Sequence, residues 1–210
     1  MTETPKQEDR RTLRTKKLLR RALLEIIEEK GVEGITVRDL TDRAEINRGT
    51  FYLHYQDVPN LLDKLQEEIF AGLAEIIHEM DIAKLLSEST NDKPASSLLQ
   101  IFEYLDRHAD YFRVMLSPKG DISIAIRFKN EMTRRMYDKL TTFQPQEELM
   151  LVSREWLIAY VSSATLGVIQ HWLSTGRKLS PYEIAHVMTR LARNGPLRSV
   201  HPRLGPPPIP

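Results

Sequence analysis

The chain has 210 residues, enough for one domain of moderate size or two small ones. It carries 30 Lys and Arg against 29 Asp and Glu, so any basic footprint for nucleic acid must be local. Cysteine is absent, which excludes disulfides, thiolate metal ligands and thiol redox sensing and fits a reducing, cytoplasmic setting. No run of about 18 apolar residues occurs, so no membrane span is expected. The polar start MTETPKQEDRR lacks the apolar core of a secretion signal. Long stretches of 3.6-residue periodicity, without alternating Val, Ile and Thr, predict an all-α protein.

Residues 1–9 read as a disordered arm. A helix is predicted from Arg10 to Lys30, ended by Gly31, with Leu19, Ala22, Leu23, Ile26 and Ile27 on its apolar face. At about 100° per residue, Arg10, Arg14, Lys17 and Arg21 line the opposite face. Residues 10–24 hold seven cations and no acid. Cations in the first turns of a helix oppose its macrodipole. A basic half placed at the unfavourable end points to a phosphate-facing surface rather than a merely solvated one.

Residues 35–55, ITVRDLTDRAEINRGTFYLHY, read as two short helices, Ile35–Ala44 and Arg48–Tyr55, joined by a tight turn. Thr36 suits the first N-cap, with Asp39 three positions on, and Asn47 suits the second. Val37, Leu40 and Ala44 share a face over which Ile46 and Phe51 can close. That leaves Arg48, Thr50, Tyr52 and His54 for an outside partner. The pattern is a helix-turn-helix, whose second helix enters the DNA major groove.

Together with the preceding helix, GVEGITVRDLTDRAEINRGTFYLHYQDVPNLLDKL resembles the TetR family of bacterial transcriptional regulators. Gly34, Ile35, Thr36, Leu40, Ala44, Gly49, Thr50, Phe51, Tyr52, His54, Tyr55, Leu61 and Leu62 fit its pattern, over roughly residues 12–70. One departure stands out. Where the family usually carries a phosphate-contacting Lys in the turn before its fourth helix, this chain has Gln56-Asp57-Val58-Pro59. The resemblance implies a three-helix DNA-binding domain at 10–57 and a ligand-binding and dimerisation domain at 58–194. It also implies a homodimer acting as a repressor on double-stranded DNA, relieved by a small-molecule effector.

Past Asp57, a suitable cap, a helix with Pro59 in its first turn should run to about Met80. A loop follows around Asn91–Pro94. Further helices are predicted at Ser96–His108, Tyr111–Leu116 and Asp121–Thr142, with a break at Ser117–Gly120. The segment from Glu147 to Ser174 is apolar on nearly every side, so it needs cover on more than one face. Ser180-Pro181-Tyr182-Glu183 is a full N-terminal signature, opening a last helix to about Asn194. Two such helices per chain suit a four-helix dimer interface. The proline-rich tail, 195–210, reads as disordered or as an extended strap.

Site expectations follow from these elements. Arg48 and Thr50 should approach base edges, Arg being the usual reader of guanine, and Gly49 should keep the helix start slim. Tyr52, His54, Thr36, Arg14 and Lys17 should face phosphates. By resemblance, an effector pocket would draw on Phe102, His108, Tyr111, Phe112, Met115, Phe128, Trp156 and Tyr160. A dimer interface would use Ser163, Gly167, His171, Trp172, Ile184, Val187, Met188 and Leu191. No cofactor, metal or enzymatic activity is expected. Two rival readings fit parts of the same sequence. One is a helix-turn-helix factor whose larger domain binds another protein instead of an effector. The other is a di-metal bundle enzyme built on Glu75 with His78 and Glu183 with His186, plus Glu103, Glu131 or Glu155. Helical phase turns His78 and Glu75 away from the apolar stripe, which argues against the metal.

Overall fold

The computed structural model describes residues 10–88 and 93–198. The arm predicted at 1–9 and the tail beyond 198 lie outside them. Among the described residues there are ten α-helices, one 3-10 turn and no strand. No described helix is long and apolar enough to cross a membrane.

Helix α1 (Arg10–Lys30) buries Leu19, Leu23 and Ile27 completely, each contributing about 1.5–3 kcal/mol. It ends where predicted. Gly31 takes a φ of 90°, and its N–H donates to the Ile27 carbonyl at 2.8 Å. Helices α2 (Val37–Arg43) and α3 (Arg48–Tyr52) are shorter than predicted. Thr36 stays outside as a true N-cap, and the chain turns off α3 at Leu53.

Helix α4 (Val58–Glu79) starts at the cap of Asp57, whose carboxylate accepts from the Asn60 N–H at 2.8 Å. Its stripe of Leu61, Leu65, Ile69, Phe70 and Leu73 leads from the first three helices into the larger domain. There it packs against α6 (Ser96–Arg107) and α8 (Ile122–Phe143). Where α4 meets α6, the Tyr104 hydroxyl donates to the Ile69 carbonyl at 2.8 Å.

Helix α5 (Ile82–Glu88) was not expected. Asp81 caps it, accepting from the Ala83 N–H at 2.8 Å. Helix α7 (Ala109–Met115) follows α6 through a corner at His108 and packs on α1. The next reversal requires Gly120, because a Cβ there would fall on the Met115 and Val114 carbonyls. That reversal lets the Lys119 ammonium donate to the Glu28 carbonyl (2.9 Å) and the Glu29 carbonyl (3.0 Å). A cation thus sits at the negative end of the α1 dipole.

Helix α9 (Arg154–Ser174) begins later than predicted, and Glu147–Leu149 is only a 3-10 turn. Arg154 is the reason. Its side chain is buried, donating to Glu147 Oε2 at 3.2 Å and to the Gln144 carbonyl at 2.8 Å. Its backbone N–H donates to Glu147 Oε1 at 2.9 Å. These bonds fold the preceding loop back over the helix start. Helix α10 (Pro181–Arg198) opens on the predicted capping box of Ser180 and Glu183. Gly195, at φ 71°, interrupts it. The start of the predicted tail therefore continues helical beyond a kink. Helix α10 packs on α6, where the Thr189 hydroxyl accepts from the Ala95 N–H at 3.0 Å.

Candidate nucleic-acid interface

The geometry of α2 and α3 is set by two caps and a turn. The Thr36 Oγ1 accepts from the Asp39 N–H at 3.1 Å, while Asp39 Oδ2 accepts from the Thr36 N–H at 2.9 Å. That reciprocal pair holds the start of α2, and it pulls the Asp39 carboxyl down to about 2, the Thr36 backbone bond being the largest cause. The Thr36 hydroxyl also donates to Asp39, at 2.9 Å. Its proton is therefore committed within the chain, which leaves it poorly placed for the predicted phosphate contact. Glu45 takes a left-handed φ of 54° in the turn. Asn47 Oδ1 then accepts from the Gly49 N–H at 2.8 Å and starts α3.

Beneath this pair the packing is complete. Phe51 and Leu40 are fully buried and Ala44 nearly so. The Phe51 and Tyr55 rings lie 5.8 Å apart. Arg43 ties α2 back to α1 through two bonds to the Glu29 carboxylate, at 2.8 and 2.7 Å, a fork that lowers the Glu29 pKa. With the inner face sealed, Arg48, Gly49 and Tyr52 are exposed, and Thr50 and His54 are half-buried. Leu53 is 80% exposed at the end of α3. Inside the predicted helix Arg48–Tyr55 its position assigns it to no face. An apolar side chain held out beside polar ones suits contact with a thymine methyl.

On α1, Arg10, Arg14 and Lys17 are exposed. Arg21 is exposed too, but its Nε donates to Glu25 at 2.7 Å, which compensates its charge. The cation lacking at Val58 has a counterpart further along α4. Lys64 reaches back to donate to the His54 carbonyl at 3.2 Å and lies 5.5 Å over the Tyr55 ring. Lys64 lies seven residues beyond the turn's Asp57, outside the stretch in which the family pattern places its lysine.

The residues nominated for an effector pocket divide into three groups. Phe102, Tyr111, Phe112, Met115 and Phe128 are buried core. Their rings stack edge to face, Tyr111 on Phe112 at 5.3 Å and Phe112 on Phe128 at 6.4 Å. His108 is half-buried at the α6–α7 corner, its Nδ1 3.0 Å from Arg20 Nη2. Burial, then the charges of Arg20 and Arg107, depress its pKa. Trp156 and Tyr160 are 71% and 53% exposed on the outer face of α9, so they line no interior pocket. The nominated interface residues divide as well. Ser163, Gly167 and His171 share that exposed face with Trp156 and Tyr160. Trp172 does not. It is buried against Phe102 at 5.4 Å, and its Nε1 donates to the Leu179 carbonyl at 2.8 Å. Ile184 is buried in the chain's own core, whereas Val187 is exposed and Met188 and Leu191 are half-buried.

The di-metal reading fails on position. Glu75, His78, Glu103 and Glu155 are exposed, Glu183 is committed to its cap, and Glu131 pairs with Arg134 at 2.8 Å. Among the described residues no group of three His, Asp or Glu is placed to hold a metal ion.

The chain matches known families at both ends. Residues 19–63 match the profile of bacterial regulatory proteins of the tetR family, and residues 92–194 match a transcriptional regulator C-terminal region of the same family. An uncharacterized HTH-type transcriptional regulator, YxbF, of Bacillus subtilis is 29% identical over 191 residues, covering 87% of this chain and 46% of the relative. The class D tetracycline repressor protein of Escherichia coli is 26% identical over 151 residues, covering 70% and 62%. This chain thus spans about half to three-fifths of the length of these relatives. Among solved structures, a TetR transcriptional regulator from Streptococcus agalactiae superposes with a TM-score of 0.55 at 22% identity, covering 87% of this chain and 97% of that one. The regulator FadR of Bacillus subtilis, in complex with stearoyl-CoA, gives 0.53 at 16%, covering 85% and 98%. Capped helix pair, helical larger domain and both profiles agree, and the chain belongs to the TetR family of bacterial transcriptional regulators.

Proposed function

We propose that two copies of the chain pair through the outer face of α9 and present two α3 helices to successive major grooves. On a pseudo-palindromic site these grooves lie about 34–36 Å apart, or a multiple of that. The observation that carries the reading is the split character of α3. Phe51 is fully buried while Arg48, Gly49, Tyr52 and Leu53 stand free on one side. Arg48 and Thr50 then read base edges, while Tyr52, His54, Arg14 and Lys17 hold phosphates.

Pairing is supported by the stripe of Trp156, Tyr160, Ser163, Gly167 and His171, spaced three or four apart and uncovered by the chain's own helices. A large aromatic left outside at that spacing is the type of residue that anchors interfaces. The similarity to tetracycline repressors favours repression, and the stearoyl-CoA complex of FadR favours control by a small molecule. Such an effector acts only through a preference for one of two states.

Selection from random DNA with the purified chain, paired with sedimentation, tests this reading. An inverted repeat and a dimer mass are expected, with Trp156→Lys giving monomers of weak DNA affinity. A single asymmetric half-site bound equally well by monomers would overturn it.

A further inference from the structure

A cleft of about 1070 Å³ runs along α1, between the first turns of α4 and the α6–α7 corner. One wall belongs to the DNA-binding head and the other to the larger domain. Its volume is slightly above the range of about 300–1,000 Å³ that small-molecule sites use. Leu24, Leu65 and Val114 give it an apolar floor, and along its walls cations outnumber acids seven to four.

Arg20 stands between the two walls, its side chain 26% exposed. It faces His108 at 3.0 Å and reaches Glu68 only at 4.0 Å. A guanidinium can only donate, so His108 Nδ1 accepts and the imidazole is neutral. Arg20 therefore has a neutral partner and one distant carboxylate, incomplete compensation for a largely covered charge. Tyr111, in the same wall, is 1% exposed, and its hydroxyl is sealed from solvent without any hydrogen-bond partner. Burial raises its pKa well above the usual range, so it stays protonated as a donor. A buried hydroxyl with no acceptor is a standing cost, and native proteins carry few.

We propose that this cleft binds an organic anion, a carboxylate or phosphate carried on an apolar body. Arg20 would donate to the head, the Tyr111 hydroxyl would join it once the occupant parts the side chains that seal it, and Leu24, Leu65 and Val114 would cover the body. The proposal rests on the effector reading above. An occupant would compete for the Arg20–His108 contact that ties α1 to the larger domain, and so would change the tilt of the DNA-binding head.

The test uses the full purified chain with hexyl phosphate, hexanoate, hexanol and inorganic phosphate, followed by calorimetry. Either hexyl phosphate or hexanoate should bind about tenfold tighter than hexanol or inorganic phosphate, and which of the two wins identifies the head group. Arg20→Gln should weaken that binding about tenfold or more. Tyr111→Phe removes only a hydroxyl without a partner, so the fold should survive while binding falls about threefold or more. No preference for the organic anions in the wild type, or equal binding by both variants, overturns the site. Binding that depends on Arg20 and Tyr111 yet leaves operator affinity unchanged keeps the site and removes its role as effector switch. Failure of the ligand-free chain to select any operator would instead strike the DNA reading and leave the cleft standing.

Discussion

Gly72→Ala sets two opposed effects against each other at the junction of α4 and α6. Gly72 lies well inside a helix of 22 residues, where alanine is favoured over glycine by about 0.8–1 kcal/mol. At an unobstructed site the substitution would stabilise the protein by that amount. Here the added Cβ would lie 2.5 Å from the Tyr104 hydroxyl oxygen and 2.9 and 3.0 Å from two ring carbons. The tyrosine cannot swing aside freely. It is buried, its hydroxyl is bonded to the Ile69 carbonyl, and its ring lies 4.5 Å from that of His108. Displacing it costs the hydrogen bond, about 0.5–1.5 kcal/mol, and overpacking strain of about 1–3 kcal/mol. The net expectation is a loss of about 1–3 kcal/mol, read from the urea midpoint of the purified chain. Combining Gly72→Ala with Tyr104→Phe removes the nearest atom, so the second background should recover part of the loss. A gain of about 1 kcal/mol for Gly72→Ala alone would refute the close approach.

Other consequences can be checked independently. The Asp39 carboxyl, held at about 2, lies below its unfolded value of about 3.9. Its contribution is therefore present above pH 4 and lost as the pH falls towards 2. Melting temperatures taken from pH 6 to pH 2 should show a shallower acid slope for Asp39→Asn, and an identical slope would remove the capping box from the account. Arg48→Ala should lower specific DNA affinity by about 1–3 kcal/mol and relax the preference at one base position; unaltered preference in a selection experiment would mean that Arg48 reads no base. Replacing Arg14 and Lys17 together by Ala should reduce the salt slope of DNA binding by about two on every sequence tested. Weakening confined to one sequence would exclude them as phosphate contacts.

The parts of the fold legible in the sequence are those with local chemistry. Gly31 stops α1, Asp57 with Pro59 starts α4, and Ser180 with Glu183 starts α10, all by interactions within a few residues. Helix α5 was missed although Asp81 is a good cap, because seven residues are too few to show a period. The start of α9 was misplaced because Met150, Leu151 and Val152 continue its apolar run, whereas the buried Arg154 decides the boundary through bonds to Glu147 and Gln144. The same helix explains the exchanged assignments of Trp156 and Trp172. A helix apolar all round has no amphipathic phase to read, so nothing local says which tryptophan faces inward. Only contact with Phe102 and the Leu179 carbonyl settles it. In the head, Arg48 and Tyr52 were legible as outward from the spacing of Leu40, Ala44 and Phe51, whereas Thr50 and His54, expected outward with them, are half-buried. The cleft was not, since its two walls are about ninety residues apart in the chain and only tertiary packing brings Arg20 to His108.

Lys119 and Arg113, distant in sequence, grip the end of α1 through the Glu28 and Glu29 carbonyls and the Glu28 carboxylate. The last turn of the first helix is thus finished by residues synthesised some ninety positions later. A growing chain that has completed only its helix-turn-helix must leave those carbonyls to water. The reader of DNA therefore reaches its full rigidity only after the larger domain has closed behind it. Amide hydrogen exchange in the final turn of α1 should accordingly follow the opening of the larger domain rather than that of α2 and α3.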